Sequence, residues 1–381
     1  MAGKLGKKLM VLSLARHAID NGKNYSYEPY VRELDLWCEL YDEVDIYAQI
    51  DTYNEKNRHS FAQFEHDNVT LKKLWSYPVG DSMMSRVLHI LTSPFLAIQL
   101  LFIVHKYDLV HIRNSSLPSI VLGLIVRVFR KETITKWAGN FGPYPNEPWL
   151  SKLDRKVAGM GGKRCKTLIY GASKKPHLIS FIPAIMSSEE IDSAQLMSAE
   201  KPDIKKQFNI VSIGRLHPTK NFELIPKALS ELNSRVKFKW HYHCIGDGTL
   251  MPELQELVRQ NDLNEQVTFH GAMKFNDAQK ILARSHILIM PGVLEGWPKP
   301  IAEGWAHNTY PLAANRGNIP DILSTIDKGL IFDANSTSLA VAIEQAFDKL
   351  SHMANVNLKA YANELSLETF KERLQLEIKS L

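Results

Sequence analysis

Twice along this chain, short unbroken apolar runs alternate with longer amphipathic stretches, and that rhythm limits the fold more than any other feature. In the first half "KLMVLSLA", "VDIYAQI", "YDLVHI", "ETITKWA" and "KTLIYGAS" read as strands, with "PHLISFIPAI" closing the series. A run apolar on both faces suits a parallel sheet covered on both sides, whereas a half-solvated sheet would alternate. After the first run come a loop, "RHAIDNGKN", and an amphipathic helix with Tyr30, Val31, Leu34, Trp37, Cys38 and Tyr41 at helical spacing. The second half repeats the pattern. "FNIVSIGRL", "KWHYHCIG", "QVTFHGAM", "HILIMPG", "TYPLAAN" and "GLIFDA" read as strands, with helices such as "NFELIPKALSELN" and "LMPELQELVRQN" between them. The expected class is α/β, with two Rossmann-like domains facing across a cleft. In open parallel sheets ligands sit beyond the carboxyl ends of the strands.

A chain of 381 residues exceeds one ordinary core and fits two domains. We expect the first over 1–185, a polar connection over 186–206 ("MSSEEIDSAQLMSAEKPDIKK"), and the second over 207–360. Lys plus Arg exceed Asp plus Glu by 46 − 41 = 5, too little to indicate nucleic acid without a basic aromatic motif. Three scattered cysteines (Cys38, Cys165, Cys244) read as reduced thiols in a cytoplasmic compartment. The first apolar run meets Arg16, His17 and Asp20 too soon for a signal peptide, so a buried strand is expected. "VLHILTSPFLAIQLLFIV" (87–104) carries His89, Pro94 and Gln99, and its strongly apolar part is short for a hydrocarbon span of roughly 30 Å. A buried helix is the plain reading; a surface that docks peripherally on the inner face of a bilayer is the alternative.

Three strand exits carry the chemistry. In "SIGRLHPTKN" (212–221) a strand ends at Gly214, and Arg215 and Lys220 bracket a turn before a helix expected near Asn221, with Thr219 as its cap. Two cations beside a helix N-terminus make an anion site, because backbone N–H groups and the dipole add to the side-chain charge. A solvated edge is the plainer reading of such a pair taken alone. "CIGDGTLMPEL" turns from strand to helix through Gly246 and Asp247, where glycine lets a ligand approach the backbone closely. "EGWPKPIAEGWA" (295–306) sets Glu295 and Glu303 around a Trp-Pro-Lys-Pro turn, with Pro300 at the first helical position. The carboxylates can hold hydroxyls while the N–H groups of Lys299, Ile301 and Ala302 face an anion, which would suit a nucleotide-sugar. The plainer reading makes Glu303 a favourable helix-start charge.

Taken together, "GRLHPTKN", "GDG", "VTFHG", "EGWPKPIAEGWA" and "GNIPDIL" resemble the donor domain of the GT4 family of retaining glycosyltransferases, which have the GT-B fold. The resemblance runs from about 207 to 345; the first half is similar only in architecture. It implies a second domain that binds a nucleoside diphosphate sugar, a first domain that faces the acceptor, and a last helix (361–381) packing back on the first domain. Arg215 and Lys220 would hold the diphosphate. Glu295 would contact the donor sugar, Glu303 the ribose diol, and the backbone at Ala272 and Met273 would border the base. Gly22 stands in place of the family's glycine-rich first loop. Where the family carries a His in the first domain this chain has Trp137, with Gly139 and Asn140 as the nearest polar contacts and Asn114 at the neighbouring strand end.

No D-x-D occurs in the sequence, so neither a metal nor another cofactor is expected. The expected activity is hexosyl transfer, with retention, to a saccharide or lipid-linked glycan acceptor in surface polysaccharide or glycoconjugate synthesis. Alternatives are a sugar-nucleotide epimerase or hydrolase of the same fold, and a nucleotide-sugar-binding module without catalysis. A dinucleotide oxidoreductase ranks last, since no G-x-G-x-x-G follows the first strand.

Overall fold

The computed structural model describes residues 7–53, 61–75, 83–114, 117–144, 147–162, 164–292, 296–325, 327–352 and 357–381. It divides into two compact units, Met1–Ala184 with Phe370–Leu381, and Ile185–Thr369.

The strands of the first unit are β1 (Lys8–Leu12), β2 (His17–Asp20), β3 (Lys23–Tyr27), β4 (Glu43–Ala48), β5 (Ile50–Thr52), β6 (Phe61–Gln63), β7 (Val69–Lys73), β8 (Leu109–Asn114), β9 (Glu132–Asn140), β10 (Cys165–Tyr170) and β11 (Leu178–Ser180). Seven form a parallel sheet in the order β11-β10-β9-β8-β1-β4-β7. Leu9, Met10, Val11 and Leu12 of the interior strand β1 are wholly buried, as an unbroken apolar run requires when both faces are covered. The helix Glu28–Cys38 brings Trp37 onto His111 of β8, ring centroids 4.2 Å apart.

The expected loop "RHAIDNGKN" is instead a hairpin. β2 and β3 pair antiparallel around a two-residue turn, Asn21 (φ 49°) and Gly22 (φ 76°), within a small sheet ordered β5-β2-β3-β6. Asn-Gly favours this turn because both central residues need positive φ.

The segment 87–104, expected as one buried helix, lies in two, Met83–Leu91 and Ser93–Ile103. Thr92 Oγ1 donates back to the Leu88 carbonyl at the break, and Pro94 opens the second helix. One face is buried, through Leu96 and Leu100, while Phe95 and Phe102 are exposed. Among the described residues no single helix is long and apolar enough to cross a membrane; Met83–Leu91 with Ser93–Lys106 would suffice in length, but the pair is bent by 44°.

The second unit holds β12 (Phe208–Ile213), β13 (Trp240–Ile245), β14 (Val267–Gly271), β15 (Ile287–Met290), β16 (Tyr310–Ala314) and β17 (Leu330–Phe332). All pair parallel in the order β14-β13-β12-β15-β16-β17, so the winding reverses between β12 and β15. Within 186–206, Ser188–Ser198 is a helix opened by a Ser187–Glu190 capping box, and Gln195 Nε2 donates to the Ala306 carbonyl at 2.6 Å. In the final helix, Leu367–Lys379, Phe370 meets Phe181 edge-on at 5.0 Å and Glu377 pairs with Lys166 at 2.8 Å.

Candidate functional site

The reversal between β12 and β15 places the exits of those two strands side by side at the carboxyl edge of the second sheet. That is where doubly wound sheets accept ligands, because the loops diverge there and leave a crevice. Hydrogen bonds lace the exits together. The Gly246 N–H donates to the Gly271 carbonyl at 2.8 Å, Gly214 to Ile245 at 3.0 Å, and Leu216 to Asp247 at 3.0 Å. Asn221 Nδ2 reaches the Pro291 carbonyl at 3.4 Å, and Asn318 Nδ2 the Gly296 carbonyl at 3.3 Å. Gly214, Arg215, Lys220, Gly246, Asp247, Ala272, Met273 and Lys299 therefore share one edge, built from five successive strand exits.

Arg215 is exposed and Lys220 half-buried. The turn between them differs from expectation. Pro218–Lys220 is a 3₁₀ turn ended by Asn221 at φ 53°, and the helix begins only at Leu224. Thr219 does not cap this helix: it lies inside the 3₁₀ turn, its N–H donating to His217 Nδ1 at 3.3 Å, and the helix's own N-cap is Glu223. The cations thus belong to the turn ahead of the helix.

At Gly246 the structure corrects the reason for the glycine. Its φ is +140°, and a Cβ there would lie 1.8 Å from the Gly214 carbonyl oxygen. Gly248, at φ +156°, would meet the Leu216 carbonyl oxygen at 2.3 Å. The backbone that approaches these glycines is the chain's own Arg215 loop. Asp247 is exposed, and its Oδ1 accepts from the Gly248 N–H at 2.7 Å.

After β15, Glu295 lies outside the described residues. The helix Lys299–Ala306 follows, with Pro300 second and not first. The Ile301 N–H, expected to face an anion, donates to the Pro298 carbonyl at 3.0 Å. Proline has no N–H, so this opening turn offers an anion fewer amides than most helices do. Ile301 and Ala302 are buried, which confines any ligand contact there to backbone. Glu303 is half-buried in the second turn, and its carbonyl takes the His307 ring nitrogen at 2.9 Å. Burial lowers His307 to about 4, which keeps it neutral.

In the first unit, Gly22 is a hairpin turn residue. Asn114 ends β8 in register with Trp137 of β9, and its side chain lies outside what is described. Trp137 is buried, packs edge-on against Phe141 at 5.4 Å, and donates its indole N–H to the Asn140 carbonyl at 3.0 Å. It is a core residue with a satisfied polar atom. Asn140 Oδ1 accepts from the Gly142 N–H at 2.9 Å, and Gly139 is exposed.

Sequence reasoning missed a charged cluster beside these residues. Glu33 bonds Arg113 at 2.5 Å and Lys136 at 2.7 Å, with Glu33 and Lys136 almost fully buried. Arg113 also lies 4.7 Å over the Tyr30 ring. The available signal was Glu33 within an otherwise apolar helix face, since a buried carboxylate requires a partner. Among the described residues, no group of three or more His, Cys, Asp or Glu could hold a metal ion.

This architecture is GT-B: mixed α/β, with two Rossmann-like domains on parallel sheets. Over 98% of this chain and 100% of that one, it matches Anabaena Alr3699/HepE crystallised with UDP, at a TM-score of 0.71 and 14% identity. Residues 195–363 match the family described as Glycosyl transferases group 1. The O-antigen chain mannosyltransferase RfbU of Salmonella typhimurium is 22% identical over 313 residues, 77% of this chain and 81% of its own length. The GPI3 subunit of phosphatidylinositol N-acetylglucosaminyltransferase from Saccharomyces cerevisiae is 23% identical over 176 residues, 46% of this chain. That match spans only 38% of the yeast protein's length.

Proposed function

We propose that this protein is a retaining, GT4-type hexosyltransferase that moves a sugar from a nucleoside diphosphate sugar to a saccharide or lipid-linked glycan acceptor. One observation supports the reading: the strand exits at the β12–β15 reversal are laced together, and Asn221, next to Lys220, reaches the Pro291 carbonyl in the exit of β15. UDP in the complex with HepE, a structural neighbour, supports a nucleotide-sugar donor. Arg215 and Lys220 would balance the charge of the departing diphosphate without a metal, a preorganised arrangement whose groups are each worth about 10²–10³ in kcat. Glu295 would grip the donor sugar and Glu303 the ribose. The acceptor hydroxyl attacks the anomeric carbon from the face the diphosphate leaves. The bond to the phosphate oxygen breaks, and that leaving group takes the acceptor proton.

The buried Trp137 favours a second reading, a module that binds the donor without transferring the sugar. A thermal-shift screen over UDP-, GDP- and ADP-sugars tests the donor site, since a ligand at a hundredfold excess over Kd adds about 2.7 kcal/mol. The donor that stabilises the wild type should not stabilise Arg215→Ala/Lys220→Ala. Equal stabilisation of both proteins refutes the assignment, and donor binding with no glycan product from any acceptor supports the second reading.

A further inference from the structure

The helices Met83–Leu91 and Ser93–Ile103 are built with reversed polarity. Ser93–Ile103 has one amide side chain, Gln99, and it is buried: Oε1 accepts from the Trp75 N–H and Nε2 donates to the Lys73 carbonyl, both at 2.9 Å. Its outward face carries Phe95, Ile98, Leu101 and Phe102, the last 75% exposed. The preceding helix repeats this, with His89 buried while Met83 and Ile90 are exposed. A surface helix in water turns its polar side chains outward. The face continues onto Leu117–Val128, which packs against Ser93–Ile103 and leaves Val128 75% exposed. His105 meets Phe129 edge-on at 4.6 Å, joining the carboxyl ends of these segments.

Charge selects the partner. None of the three helices contains an Asp or Glu, while Lys106 and Arg130 are exposed at the rim. We infer that this three-helix face seats the protein on an anionic lipid surface, its apolar side chains entering one leaflet and its rim cations meeting headgroups. An apolar face flanked by cations, on helices none of which is alone long enough to span, binds in the plane of the interface. The inference does not depend on the transfer reaction.

Flotation of the full chain tests it, using vesicles of phosphatidylcholine with phosphatidylglycerol against phosphatidylcholine alone. The wild type should float with the anionic vesicles and be released by salt. Phe102→Ser/Val128→Ser and Lys106→Glu/Arg130→Glu should each weaken partitioning roughly tenfold or more while unfolding at the wild-type midpoint. No flotation of the wild type at low salt overturns the inference, as does undiminished flotation of Phe102→Ser/Val128→Ser. A concentration-dependent dimer that these serines dissolve, without vesicle binding, also overturns it and assigns the face to a second copy of the chain.

Discussion

Gly246→Ala should destabilise the second unit far more than Gly271→Ala, although both glycines have positive φ. At Gly271, φ is +70° and a Cβ would find nothing within 4 Å, so the cost is that of the left-handed conformation, about 1–2 kcal/mol. At Gly246, φ of +140° lies beyond the basin open to other residues, and the strain alone is about 1–3 kcal/mol. The new Cβ would stand 1.8 Å from the Gly214 oxygen where 3.0 Å is the practical limit, so that carbonyl must retreat by 3.0 − 1.8 = 1.2 Å. A retreat of that size breaks the bonds from Gly214 to Ile245 and from Leu216 to Asp247, at about 1 kcal/mol each. The total is about 3–5 kcal/mol. With a urea slope of about 2 kcal/mol/M, the unfolding midpoint of Gly246→Ala should fall about 0.5–2 M below that of Gly271→Ala. Coincident midpoints for the two variants would refute the close approach of the Arg215 loop to Gly246.

Two further outcomes follow from buried charge. Glu33→Gln leaves Arg113 and Lys136 buried without their carboxylate and should cost about 3–5 kcal/mol, whereas Lys136→Met keeps Glu33 matched to Arg113 and should cost less; denaturant titration of both variants decides. Asp35 is raised by burial to about 7 from its ordinary 3.8, so between those values the folded chain binds more protons than the unfolded one and stability falls as pH rises. Asp35→Asn should flatten that decline and gain about 1–3 kcal/mol at pH 8, seen as a higher Tm there and an unchanged one near pH 4. A lower Tm at pH 8 would count against burial as the cause.

Much of the fold was legible because its signals are local. Every apolar run read as a strand became one, since covered parallel strands need no long-range information to be recognised. The Asn21–Gly22 hairpin was equally legible by its turn chemistry, yet it fell within an expected loop. The site was legible in part: Arg215, Lys220 and the Lys299–Ala306 helix sit at strand exits because Gly and Pro mark where strands end. Glu33 was passed over because helical periodicity records only its apolar neighbours. Trp137 shows the opposite limit, since aligning its position with a His says nothing of what surrounds the ring.

By itself, then, the sequence determined the alternation of strands and helices, the α/β class of both domains and the strand exits that glycine and proline mark, all consequences of side-chain period and backbone freedom over a few residues. Only the tertiary structure decided that the Gly214 carbonyl fills the space beside Gly246, that Glu33 answers two cations, and that Gln99 faces inward while Phe102 faces out. Each of those depends on which distant segment covers a given face, and periodicity along a chain is the same whichever side is covered.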